Sequence, residues 1–312
     1  MKVSRMLGGT WTPRFLKALL AEFLGTAVVV FSGLAAVATQ IPSVMPLESL
    51  AGTASIHTST LQAGGTSRSA EGSTSTGLPG ARPAPALAGP ELVPIALAFG
   101  LSLAVVSYWV APLSGGHLNP AITVAMVVAA RIRPVWALGY VLSQLLGAIV
   151  ASASLYGLMP AGQARKDLGV NKFSPGVTQL QALGIEASTS FQLVLCVFAT
   201  SDRLRDPLKS GHLIVGLSVT LGHLVAIRYT GCGMNPARSL GPAVITSVFT
   251  HHWVYWIGPI CGGLLAAILH DIILVPKWKS IRDWLRMLRK GQEEDCDTQQ
   301  STENRDQEMG VK

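Results

Sequence analysis

Four stretches of this chain, 92–130, 134–164, 210–227 and 239–270, contain no Asp, Glu, Lys or Arg. Apolar segments of about 20 residues are what cross a bilayer, and charge-free runs of this extent in a chain of 312 residues exclude a large water-soluble globule. Composition agrees: 13% of residues are charged, where soluble domains carry roughly a quarter, and mean hydropathy is +0.42. The formal charge of +7 does not point to nucleic acid, because the basic residues sit in short clusters between apolar runs, as membrane flanks do.

Six segments are long enough to span, at about 16–39, 92–111, 135–158, 180–200, 213–227 and 252–274, the fifth being short with polar ends. Two further apolar pieces, 119–130 and 235–249, follow Gly-rich turns and begin Asn-Pro-Ala. At that length they do not cross. Proline at the first helical position behind an Asn cap is a strong helix start, so each reads as a half-helix opening at Asn119 or Asn235. Irregular backbone at membrane depth survives only where protein or water satisfies it. The expected fold is an all-α membrane protein with six transmembrane helices and two re-entrant half-helices around a water-lined cavity.

An internal repeat supports this. AEFLGT at Ala21 and GIEASTS at Gly184 each place a glutamate, Glu22 or Glu186, inside an apolar span, and HLNPA and GMNPA follow. Three spans per half force an inverted 3+3 topology. Asn119 follows Glu22 by 97 residues and Asn235 follows Glu186 by 49, so an insertion of about 48 lies in the first half. It falls in the 41–90 loop, where residues 49–90 hold 13 Ser/Thr, seven Gly and four Pro. Such a segment is expected to be disordered. No N-x-Ser/Thr sequon occurs.

Counting Lys and Arg in the flanks gives 15 on the side of both termini and seven opposite, which predicts cytoplasmic termini and an extracellular 41–90 loop. The start of the chain shows no small-residue cleavage site, so the first span is expected to remain as an anchor. The four cysteines are dispersed without metal-like or disulfide spacing; no metal and no cofactor are expected. Beyond a short N-terminal segment, 1–15, and a membrane domain, 16–276, the chain is expected to form a basic amphipathic helix at 277–290 and an acidic, disordered tail at 291–312. A calmodulin-type target is the alternative reading of that helix.

Two half-helices entering from opposite faces would bring their positive N-terminal ends together near the midplane, each with an Asn amide able to donate to a water oxygen. The same geometry opposes a cation. The bland alternative is a pair of capped helices at a packing site, which the repeat disfavours.

GGHLNPA, GCGMNPARS, the two intramembrane glutamates and LGHLVAI resemble the aquaporins, over about 16–276. Within that family the sequence is most similar to the water-selective vertebrate branch of red-cell type, from which the long first loop departs. The resemblance implies a homotetramer with one pore per subunit. It also implies pore motifs at Asn119, Pro120, Ala121 and at Asn235, Pro236, Ala237, and a selectivity filter of Phe99, His223, Cys232 and Arg238. In that reading Phe99 narrows the passage, His223 and Arg238 offer donors to water, and Arg238 adds a fixed positive charge. Taken singly, His223 reads as a buried, hydrogen-bonded histidine, Phe99 as core packing and Cys232 as a small filler. Arg238 is harder to dismiss, since Arg at membrane depth is costly.

Helical spacing places Leu103 beyond Phe99, Val219 beside His223 and Leu193 beyond Glu186, giving an apolar pore wall or ordinary core. Carbonyls of Gly115, Gly116, His117 and of Gly231, Cys232, Gly233 would supply acceptors along the path. By the resemblance Glu22 and Glu186 brace the re-entrant loops; proton relay is the alternative. Cys232 is the candidate mercurial site.

The expectation is a passive, water-selective channel in the plasma membrane, driven by osmotic gradients and excluding ions and protons. A glycerol facilitator is the nearest rival, disfavoured by His223 and by Ser239 after NPAR. An adhesion protein and a proton-coupled transporter lack, respectively, an ordered sticky surface and further ionisable groups in the spans. No nucleophile, base and orienter suggest an enzyme.

Overall fold

The structure is a computed structural model that describes residues 12–40, 91–201 and 210–275. The expected 41–90 loop, the 277–290 helix and the 291–312 tail lie outside the described residues, as do residues 1–11.

Local sequence sets where each helix begins. In α1 (Pro13–Thr39) Thr12 Oγ1 accepts the Phe15 N–H at 3.2 Å and Pro13 occupies the first position. This start lies three residues before the expected one, because the cap precedes the apolar run. Helix α2 (Leu92–Ser114) passes through Pro112 and stops at Gly115 with φ +92°, three residues beyond the expected end. The half-helices are α3 (Pro120–Val128) and α8 (Pro236–Thr246), capped by Asn119 and Asn235 with proline next. Helix α4 (Pro134–Leu158) also opens on proline. Helix α5 (Gln163–Asp167) is too short for periodicity to reveal and was not expected. Helix α6 (Gln179–Thr200) opens with a capping box between Thr178 and Gln181. Helix α7 (Gly211–Thr230) has 20 residues and ends at Gly231, φ +74°; its polar ends made the fifth span look short. Helix α9 (Val254–Ile268) runs into a π-helical turn, Leu269–Leu274. Six of these helices are long and apolar enough to cross a membrane, the last including the π turn.

Helices α1, α2 and α4 pack together, and α6, α7 and α9 repeat that arrangement. The halves meet where α2 crosses α7. A Cβ on Gly100 would lie 2.5 Å from the Gly216 carbonyl, and one on Gly216 would lie 2.5 Å from the Gly100 carbonyl. The two backbones touch there, as close helix packing in lipid requires. The halves also exchange their half-helices: α3 packs on α9, and α8 on α4. Just past α3, Arg131 pairs with the buried Asp271 of the π turn at 3.1 Å, fastening the far end of α3 to the last span.

The polarity is inverted relative to a soluble protein. Leu20, Val105, Leu142, Leu217 and Leu265 are exposed, while Glu22, Gln144, Asn171, Glu186 and Arg238 are buried. An apolar exterior suits lipid contact, and polar side chains inside must then find partners within the protein.

Candidate functional site

The two loops that lead into α3 and α8 have the same shape. Leu118 and Met234, the residues before the Asn caps, both take left-handed backbone at φ +53° and +54°. Side chains other than glycine adopt that region at a cost and keep it only where their surroundings hold it. Here a buried carboxylate does so in each half. Glu22 accepts the His117 N–H at 2.9 Å, the Leu118 N–H at 2.7 Å and the Ser114 hydroxyl at 2.5 Å. Glu186 accepts the Gly233 N–H and Met234 N–H, both at 2.8 Å, and the Thr230 hydroxyl at 2.6 Å.

Behind each acid a tyrosine completes the repeat. Tyr140 donates to the Ser114 carbonyl and Tyr255 to the Thr230 carbonyl, both at 2.9 Å. The halves differ in one respect: Gln144 Nε2 donates to Glu22 at 2.8 Å and to Thr123 Oγ1 at 3.0 Å. In the second half Ser239 donates instead to Asn171 at 2.8 Å.

Hydrogen bonding fixes how the two Asn amides point. Asn119 Oδ1 accepts the Ala121 N–H at 2.8 Å, and Asn235 Oδ1 accepts the Ala237 N–H at 2.9 Å. Each NH2 group therefore faces the other loop. Asn119 donates to the Met234 carbonyl and Asn235 to the Leu118 carbonyl, both at 2.9 Å. An amide has two hydrogens, so each Asn keeps one that these bonds do not use. Pro120, Ala121, Pro236 and Ala237 are buried in the first turns behind them.

Phe99, His223 and Arg238 come together from α2, α7 and α8. The Phe99 and His223 rings stack at 4.4 Å between centroids, 19° apart, and the Arg238 guanidinium carbon lies 5.0 Å from the Phe99 centroid. His223 Nδ1 lies 2.9 Å from the Val219 carbonyl. A carbonyl only accepts, so Nδ1 carries the hydrogen, and in the neutral ring Nε2 is an acceptor rather than the expected donor. Arg238 Nη1 donates to the Gly169 carbonyl at 2.8 Å. His223 Nε2 and Arg238 Nε are buried with no partner among the described residues.

Cys232 is fully buried, with its N–H on Thr230 Oγ1 at 3.2 Å. Leu103, Leu193 and Val219 belong to the same apolar cluster as Phe99, Leu118, Cys232 and Met234. Among the described residues, no hydrogen bond reaches the carbonyls of Gly115, Gly116 and His117 or of Gly231, Cys232 and Gly233. Tyr140, Gln144, Tyr255, Gly169 and Asn171 belong to none of the sequence motifs. A lone glutamine in an apolar span is itself a signal, since burying it requires partners. The carbonyl of Gly169 had no signal.

Paired re-entrant half-helices within an inverted repeat of membrane spans define a class of membrane channel. The family model described as major intrinsic protein matches residues 10–270, and the chain belongs to that family. It is 48% identical over 206 residues to aquaporin FA-CHIP of Pelophylax lessonae, covering 66% of this chain and 75% of that protein. It is 40% identical to aquaporin-5 of Homo sapiens over 297 residues, 95% of each chain. Aquaporin-1 of Homo sapiens is 48% identical over 206 residues, covering 66% of this chain and 76% of that one. The X-ray structure of the aquaglyceroporin from Plasmodium falciparum shares the fold, with a TM-score of 0.65 at 21% identity, over 84% of this chain and 98% of that one.

Proposed function

We propose that the chain is a passive water-selective channel that excludes glycerol, ions and protons. The grouping of Phe99, His223 and Arg238 carries this reading. In this reading the two stacked rings and the guanidinium line a narrow polar constriction, in which His223 Nε2 and Arg238 Nε, buried without partners among the described residues, would offer a water molecule an acceptor and a donor. At the meeting of the half-helices, the spare amide hydrogens of Asn119 and Asn235 both donate toward a passing oxygen. Two helix N-termini, each worth roughly half a positive charge, and the Arg238 charge act against cations and protons there. The unbonded loop carbonyls supply acceptors on either side, and Leu103, Leu193 and Val219 the apolar wall.

In this reading Glu22 and Glu186 brace the loops rather than carry protons, since their oxygens are occupied by three or more donors. The similarity to aquaporin-1 and aquaporin-5 supports water as the permeant, and the homotetramer that the sequence resemblance implies is the proposed assembly. The excess of Lys and Arg in the flanks supports cytoplasmic termini, and the plasma membrane is the proposed location.

The test is osmotic swelling of cells displaying a quantified amount of the protein at their surface. Swelling well above that of control cells is expected, without a matching rise in glycerol uptake. Surface protein with no added water flow would overturn the proposal.

A further inference from the structure

We infer that Gly33 is a positioning residue that sets the opening between Phe99, His223 and Arg238; this rests on the water-channel reading above. Gly33 lies on α1, 66 residues before Phe99 in sequence, and belongs to none of the motifs. A Cβ built on it would collide with three carbons of the Phe99 ring, Cδ1, Cε1 and Cζ. The ring therefore rests directly on the α1 backbone. It is only 2% exposed, and its other ring neighbours are the His223 imidazole at 4.4 Å and the Arg238 guanidinium at 5.0 Å.

The next residue supports the other side of the opening. Leu34 is fully buried, and a Cβ on Gly169 would lie 2.8 Å from its Cδ2. Leu34 thus backs the loop whose Gly169 carbonyl holds Arg238. Two consecutive residues of α1 thus lie behind the group, Gly33 against the Phe99 ring and Leu34 against the loop that holds Arg238.

The α1 backbone is held by its packing on α2 and α4, so room for a side chain at position 33 comes from the ring. Tightly packed interiors respond to added methyl groups by pushing neighbouring side chains off their preferred rotamers. A displaced Phe99 ring moves into the space it shares with His223 and Arg238 and narrows the opening.

Proteoliposomes carrying equal amounts of wild-type protein, Phe99→Ala, Gly33→Ala, Gly33→Val and the Gly33→Ala/Phe99→Ala pair separate the possibilities. Water flow in the wild type and added glycerol flow in Phe99→Ala test the channel reading by themselves; a silent wild type overturns that reading and this inference with it. Gly33→Ala is expected to lower unit water permeability several-fold and Gly33→Val to lower it further. Alanine at position 99 is expected to restore flow to the Gly33→Ala protein, because no ring remains to be displaced. Wild-type flow in Gly33→Ala, a rise in its glycerol flow, or a loss that persists undiminished in the pair would each overturn the inference. Should Gly33→Ala fail to fold alone, the pair decides: relief of the clash predicts that it folds, and a pair that does not fold contradicts the assignment.

Discussion

Asn119 and Asn235 hold each other's loops: each donates an amide hydrogen at 2.9 Å to the carbonyl immediately preceding the other. The joint between the two halves of the repeat is thus a reciprocal pair of hydrogen bonds. The same two side chains cap the half-helices and, in the proposed function, face the permeant.

Replacing either Asn by Ala removes a helix cap and takes a donor from the carbonyl across the joint; among the described residues the Leu118 carbonyl then has no other donor, whereas the Met234 carbonyl keeps the Ser190 hydroxyl at 3.5 Å. A lost cap costs typically about 1 kcal/mol, and an unsatisfied buried acceptor a further 1–3 kcal/mol or so. Asn119→Ala and Asn235→Ala are each expected to melt at lower temperature in detergent. The double variant should be less destabilised than the sum, because both act on one joint. Strict additivity in the melting experiment would contradict the coupling.

Glu22→Gln and Glu186→Gln each set an amide NH2 against N–H and O–H donors that now share a carboxylate. Reduced folded yield with nearly unchanged flow per surviving channel is expected, as measured by surface labelling alongside swelling. Glu22 has the additional donor Gln144, so Gln144→Leu tests the first half alone and should lower yield less than Glu22→Gln. Normal yield with lost unit flow would favour a transport role for the acids.

His223→Gly removes one of the two stacked rings. The variant is expected to keep its water flow and to gain glycerol flow, read as the ratio of the two permeabilities in one preparation. An unchanged ratio would place the size limit elsewhere in the molecule.

The spans and half-helices were legible because membrane depth imposes length and because Asn-Pro is a strong helix start. Phe99, His223 and Arg238 were legible only through their spacing from the NPA motifs in a familiar pattern. What escaped was contact information. Tyr140 and Tyr255 are single residues on long apolar helices, and only folding shows that both reach the last carbonyl of the preceding long span. The Gly169 carbonyl is backbone, which no side-chain pattern reveals. The donor role expected of His223 depended on a tautomer, and that is set by the Val219 carbonyl one helical turn away.

Three cysteines lie within the described residues: Cys232 is buried, Cys196 partly buried and Cys261 exposed. Mercurials are expected to react with Cys261 without blocking flow and to block through Cys232, the proposed filter cysteine. Cys232→Ser should conduct water and resist the block, whereas Cys261→Ser should remain sensitive. The reverse pattern in the swelling assay would move the inhibitory site to the outer surface of α9.

In the proposed function one narrow polar opening passes water and stops glycerol and protons. The most direct test is to measure osmotic water flow, glycerol flow and proton flux on a single batch of proteoliposomes holding the purified protein. Rapid water flow is expected, with glycerol and proton fluxes at the level of protein-free vesicles. Glycerol or protons crossing in proportion to the reconstituted protein would contradict the proposal.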